Sequence, residues 1–288
     1  MTFHPGAFLD LTPEESDPAA ARVVIVPVPY DGTSTWRKGA DQGPAALLEA
    51  SGAIETWDIE TGWEPHSVGF TTRPPIPCDT DPETLADRVE AEVSAIFEED
   101  RFPVVIGGEH SVSIGAIRAA ARRFEGLNVL QIDAHADTRE EYEGSRFNHA
   151  CVMARARQWC PISQVGLRSV DVSELAGLDP RRVWYAHEIL ERPRESWIPA
   201  VVDSLGEPVY LTVDLDAFDP SLLPATGTPE PGGLGWYDVV RLIDAVAQAR
   251  RIVALDVVEL CPMPGHSASA YIAARLVHRA LAAILRPR

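Results

Sequence analysis

Residues 133–137 read Asp-Ala-His-Ala-Asp. In extended backbone, side chains at i, i+2 and i+4 point the same way, so Asp133, His135 and Asp137 can face one point. Asp214 and Asp216 repeat the spacing in TVDLDAFDP, and His110 closes the run VVIGGEH. Carboxylates gathered in a crevice of low dielectric constant drive up one another's pKa, and a divalent cation removes that conflict. Four aspartates and two histidines form an oxygen-rich, borderline-hard donor set, better suited to Mn²⁺ than to a thiolate-seeking metal. Six side chains fill two octahedral shells only if carboxylates bridge. A bridging water is the natural extra ligand, with its pKa lowered toward neutrality.

The elements that must position these residues are legible as alternating apolar runs and helical patterns. Val23–Val26, Val104–Ile106, Leu127–Ile132, Val209–Val213 and Ile252–Val258 read as strands. Gly43-Pro44 opens a helix through Leu48. Leu85, Val89, Val93, Ile96 and Phe97 mark an amphipathic helix by spacings of mostly three and four. Residues 113–124, 236–249 and 269–285 read as further helices. Such alternation predicts an α/β fold, a three-layer αβα sandwich around a mostly parallel sheet. The Pro-rich stretch 72–82 reads as a loop, because no change of composition follows it.

Four runs, VVIGGEHS, VLQIDAHAD, YLTVDLDAFDP and VALDVVELCP, begin as strands and end in acids or a histidine. Ligands of open parallel sheets bind outside the carboxyl ends of the strands. The four charged ends are therefore expected to converge on one rim as a metal site. A lone D-x-D after a strand is more often a cap or a turn, but several such motifs, all at strand ends, argue for a common purpose.

The 288 residues are expected to form one domain, 1–288, and carry a net charge of −18. A surface this acidic disfavours nucleic acid and anionic membranes and attracts small cations. The four cysteines form no C-x-x-C pair, no basic-then-apolar leader opens the sequence, and no uninterrupted apolar stretch reaches membrane-spanning length. A reduced cytoplasmic protein is expected.

GGEHS (107–111), DAHAD (133–137) and TVDLDAFDPSLLPATG (212–227) resemble the three signatures of the ureohydrolase superfamily of arginases and agmatinases. The stretches 27–51, 142–150, 165–169 and 226–234 resemble its agmatinase branch, so the likeness covers nearly the whole chain. The resemblance implies two Mn²⁺ ions held by His110, Asp133, His135, Asp137, Asp214 and Asp216. It also implies attack of a metal-bridging hydroxide on a guanidinium carbon, with collapse to urea and an amine. Asp137 would orient the attacking water. His149, in FNHA, would pass a proton to the leaving amine, and Glu259, in VVELCP, would grip the guanidinium. Trimers or hexamers are implied as well. Glu109 and Asp219 lie inside signatures but read as capping or supporting groups. His266 and His278 read as surface or packing residues, and His4, His66 and His187 have no evident partner.

The branch likeness makes agmatine, cleaved to putrescine and urea, the expected substrate. The glutamates of 138–144 (TREEYEG) suit a small dicationic guanidino compound, and Asp171 is a candidate partner for its distal amine. Arg139 points the other way, because it could pair with a carboxylate. Arginine, 4-guanidinobutyrate, a related guanidino acid and guanidine are therefore alternatives. A non-catalytic metal-binding relative is disfavoured by the complete ligand set. A dimetal phosphoesterase is disfavoured by the acidic rim.

Overall fold

In the computed structural model of the chain, residues 6–287 are described. Eight strands form one sheet: β1 (Val23–Val28), β2 (Phe70–Thr72), β3 (Phe102–Gly107), β4 (Asn128–Ile132), β5 (Ile162–Leu167), β6 (Val183–Tyr185), β7 (Val209–Asp214) and β8 (Ile252–Val258). Their order is β2-β1-β3-β8-β7-β4-β5-β6, and every pair is parallel. The long central strands are buried along their whole length, which their largely unbroken apolar runs require of a sheet covered on both faces.

On one face, α2 (Pro82–Glu98), α3 (Ser113–Arg123) and the short α4 (Val152–Ala156) enclose Val24, Val26, Val105 and Val129. On the other, α1 (Gly43–Ser51), α6 (Arg194–Ser204), α7 (Trp236–Ala249) and α8 (Ala268–Leu285) enclose Ile25, Val104, Leu130 and Leu211. A single turn, α5 (Ala186–Leu190), follows β6. The expected three-layer single-domain architecture is therefore the one observed. α2 shows how local sequence sets an element: Asp81 accepts from Thr84 N at the N-terminus, Pro82 sits where no N–H is needed, and the apolar stripe faces inward.

The strands that sequence reading passes over are β2, β5 and β6. β2 and β6 are three residues long, too short for a periodicity. In β5 (ISQVGL) polar residues and a glycine interrupt the apolar run, although all but its first residue are buried. α6 carries Pro199 in its interior, which masks its pattern. α8 is 18 residues long and apolar enough on average to cross a membrane, although Arg275, His278 and Arg279 interrupt its apolar run, as the sequence reading holds. It is largely buried against α1 and α7, as a core helix is.

The sheet order has one consequence for function. The chain lays down β3 and β4 apart and later inserts β7 and β8 between them. The four strands with charged ends thereby become four consecutive central strands, β3-β8-β7-β4.

Candidate metal centre

At the carboxyl rim of these four strands five of the six expected ligand residues come together in two groups that share Asp133, and the sixth, Asp214, lies against His110. His110, Asp133 and Asp137 form one; Asp133, His135 and Asp216 form the other. Within each group the donor atoms lie within 4.8 Å of one another. His110 Nδ1 is 3.2 Å from Asp133 Oδ2, 2.9 Å from Asp137 Oδ2 and 3.3 Å from Asp214 Oδ2. His135 Nδ1 is 2.9 Å from Asp216 Oδ2 and 3.7 Å from Asp133 Oδ1. The two oxygens of Asp133 thus face different histidines, the disposition a bridging ligand needs.

Backbone geometry sets these side chains. Asp137 and Glu259 both adopt left-handed φ, +52° and +67°, a conformation that non-glycine residues hold only where the surroundings over-determine it. Asp137 O accepts from Met153 N and Ala154 N at the start of α4. Glu259 is fixed from both sides: its N–H donates to Gly108 O, and its Oε1 accepts from His110 N at 2.8 Å. Gly108 packs so tightly on the backbone of Tyr30 that a Cβ would lie 1.8 Å from Tyr30 O. Gly108 of GGEHS is therefore a steric necessity.

The site is nearly dry, and its electrostatics follow from that. Asp133 is pushed up to about 7, first by burial and then by the charges of Asp216 and Asp137. Asp214 is raised well above the usual carboxylate range by burial, Asp216 and Asp133. Glu259 rises likewise through burial, Glu109 and Asp216. Asp216 alone is held low: burial resists, but its pairing with His135 prevails. Burial also works against a charged His110, yet Asp133, Asp137 and Asp214 outweigh it and hold the ring well above its ordinary value. Left to themselves, these acids are costly to ionise, and two dications would relieve that cost.

The donor chemistry fits such a pair. His110 Nδ1 is buried, faces three carboxylates and makes no hydrogen bond of its own, while Nε2 lies 3.0 Å from Thr212 Oγ1. A partner on one ring nitrogen and an open, acid-facing second nitrogen is the arrangement of a metal-ligating histidine.

Beside the His135 end opens a cavity of about 260 Å³, lined among others by Asp137, Arg139, Tyr142, His149, Asp171 and Glu174. His149 precedes α4; its N–H donates to Thr33 Oγ1 at 2.9 Å and its Nδ1 lies 3.1 Å from the same oxygen. Sequence reasoning missed Thr33, which nothing in its loop distinguishes. It also missed Glu174, which accepts from both the N–H and the hydroxyl of Thr138, and Glu230, a further wall residue.

The glutamates of 140–143 do not line this cavity: Glu140 turns to Arg155 and Arg157. Asp171 does line the cavity, where Arg139 lies 3.7 Å from both Asp171 Oδ2 and Glu174 Oε2. Arg139 also lies over the Tyr142 ring at 4.3 Å.

Glu109 is buried and accepts from Ser111 N and Oγ, and Asp219 accepts from Ser221, Gly232 and Gly233 N–H groups. Both cap turns, as expected of them. His278 is buried in α8, His266 sits near Ser269, His66 is partly buried in a turn, and His187 stacks on Tyr185. His4 lies outside the described residues.

A sequence model of the Arginase family matches residues 21–283. An N(1)-aminopropylagmatine ureohydrolase from Synechocystis sp. is 38% identical over 272 residues, covering 91% of this chain and 88% of the relative. The crystal structure of agmatine ureohydrolase of Thermoplasma volcanium superposes with a TM-score of 0.84 at 32% identity, covering 92% and 90% of the two chains. Proclavaminate amidino hydrolase from Streptomyces clavuligerus superposes with a TM-score of 0.88 at 27% identity, covering 97% and 96%.

Proposed function

Because the chain belongs to the arginase family, and with it to the metal-dependent amidinohydrolases, we propose that its rim crevice releases urea from a guanidino-alkylamine carrying cationic nitrogen in its tail. N(1)-aminopropylagmatine is the favoured substrate and agmatine the second reading. The observation that carries this is the charge of the cavity wall. Beyond Asp137, the acidic residues Asp171, Glu174 and Glu230 line it against the single guanidinium of Arg139, itself already engaged by the first two. A tail with two ammonium groups gains from that excess. An α-carboxylate, as in arginine, meets no uncommitted cation there. The 38% identity to the Synechocystis ureohydrolase weighs on the same side and moves the preference from agmatine to its aminopropyl derivative.

In this reading His110, Asp133, Asp137 and Asp214 would hold one divalent cation, and Asp133, His135 and Asp216 the other, with manganese the metal that the donor set suits best. When bound, such a pair lowers the pKa of a water toward neutrality and supplies the strong nucleophile that a poorly electrophilic guanidinium carbon demands.

The remaining work falls to the chain's own groups. Glu259, anchored through Oε1 by His110 N–H, keeps a second carboxylate oxygen for the guanidinium, whose planar fork matches a carboxylate. Asp137, at the cavity floor, accepts a hydrogen bond from the attacking water and so aims it. His149, in the cavity wall and steadied by Thr33, gives a proton to the departing amine nitrogen as its bond to carbon breaks. Urea and a polyamine leave.

Urea release by the Mn²⁺-loaded protein should be compared on N(1)-aminopropylagmatine, agmatine, arginine, 4-guanidinobutyrate and guanidine. Highest kcat/KM on the aminopropyl compound is the expected result. Preference for a guanidino acid would overturn the charge argument, and no urea from any of them would overturn the catalytic reading.

A further inference from the structure

Two buried glutamines on the neighbouring strands β4 and β5 have no role in the chemistry derived above. Gln131 on β4 and Gln164 on β5 are register partners and almost wholly buried. Amides are costly in a sheet interior unless every donor finds an acceptor. Here every donor does. Gln164 Nε2 donates to Gln131 Oε1 at 2.6 Å and to Ala136 O at 2.8 Å. Gln131 Nε2 donates to Asp133 Oδ2 at 2.6 Å and to His135 O at 3.2 Å.

The direction of this relay matters. Because Gln164 donates to Gln131 Oε1, the Gln131 amide cannot turn over without placing its oxygen against Asp133 Oδ2. Its N–H is thereby committed to the carboxylate. The other oxygen, Asp133 Oδ1, accepts from His135 N at 2.6 Å. One neutral donor on each oxygen fixes the rotation of the carboxylate, and that rotation is what turns Oδ2 toward His110 and Oδ1 toward His135. The same two amides hold the carbonyls of His135 and Ala136, so they also brace the backbone that presents His135 and Asp137.

We propose that Gln131 and Gln164 are positioning residues for the metal pair, Gln131 directly and Gln164 through Gln131. They set Asp133 as the shared ligand, and the inference rests on the reading of Asp133 as that ligand. Neither touches substrate. A core with apolar residues at both positions would satisfy the sheet equally well, so their use of buried amides is accounted for by the carboxylate in front of them.

The test measures Mn²⁺ affinity by chelator competition, and the exchange-coupled electron paramagnetic resonance signal of paired Mn²⁺, in the wild type, Gln131→Met, Gln164→Met and the double variant. Methionine keeps the length and flexibility of glutamine without its donors. Circular dichroism checks that each variant folds. The wild type reports on the metal reading itself: no paired binding there would sink that reading, whatever the variants do. Given a paired wild-type signal, Gln131→Met is expected to bind roughly 10–100-fold more weakly and to shift signal from coupled to isolated Mn²⁺. Gln164→Met should do the same to a smaller extent, and the double variant should match Gln131→Met. Wild-type affinity and coupling in a folded Gln131→Met protein would overturn the proposal. Effects that multiply in the double variant would overturn the relay through Gln131. If Gln131→Met does not fold, Gln164→Met decides alone, and an unchanged spectrum there would overturn the relay.

Discussion

His110 Nδ1 and Asp137 Oδ2 stand 2.9 Å apart at the floor of the crevice, joined across the gap between β3 and β4. Both are buried, and neither position tolerates loss of its charge-bearing atoms if a cation lies between them. Asp137→Asn and His135→Ala are each expected to abolish urea release while the far-ultraviolet circular dichroism stays native and Mn²⁺ binding weakens. Full turnover in either variant would refute the ligand assignment.

Metal removal should be visible in stability as well as in turnover. A ligand at about 100 times its Kd that binds only the folded state adds about 2.7 kcal/mol, which for a chain of this size corresponds to a rise in Tm of roughly 4–5 °C. A chelator is expected to lower Tm by several degrees, and added Mn²⁺ to restore it. A melting curve indifferent to both would count against the two groups around Asp133 as a high-affinity site.

His149→Phe removes the proton donor but leaves the six ligand residues in place. The expected outcome is a fall in kcat of roughly 10²–10⁴-fold with Mn²⁺ stoichiometry unchanged. Thr33→Val loosens the same ring and should lower kcat less. If kcat survives in His149→Phe while KM alone rises, the histidine binds substrate and does not move the proton.

Asp171 is exposed and shares Arg139, so solvent screens its pull on a cationic tail and its contribution is small. Asp171→Asn should raise KM for N(1)-aminopropylagmatine by a few-fold at most and leave guanidine hydrolysis unaffected. An equal effect on both would place Asp171 outside the tail site.

Acid stability offers a check far from the crevice. His278 is held down at about 4, chiefly by burial and further by Arg275, against the pull of its hydrogen bond to Thr56 O. Its ordinary value is 6.5, so below that pH the unfolded ring takes up a proton that the folded ring refuses. The stability at stake is intact above pH 6.5 and drains away between 6.5 and about 4, on the order of 3 kcal/mol in all. Stability measured by denaturant over that window should fall less steeply in His278→Gln than in the wild type; parallel slopes would contradict the assignment.

The central strands, the helices that cover them and the six candidate ligand residues that the rim gathers could be read from residue types, because burial and charge leave strong marks. A strand that is apolar along its length and then ends in Asp-x-His-x-Asp would be unstable without something to neutralise its acids. The edge strands left weaker marks, since three residues of β2 or β6 carry no period. The cavity wall left almost none. Whether Glu140 faces substrate or Arg155 depends on where α4 falls, and Glu174 reaches Thr138 only because a distant loop folds back. Gln131 and Gln164 do carry a signal: each is a polar residue inside a buried strand, an irregularity that calls for a buried partner.

The insertion of β7 and β8 between β3 and β4 also dictates when the crevice can exist. During synthesis, a nascent chain that has emerged through β6 already contains His110 and the whole DAHAD stretch, but the strands bearing them are not yet held at their final spacing. Asp214, Asp216 and Glu259 arrive only with the last third of the polypeptide. Until then nothing can gather all six candidate ligands. The shared position of Asp133 between two groups is thereby reserved for chains that have completed their sheet.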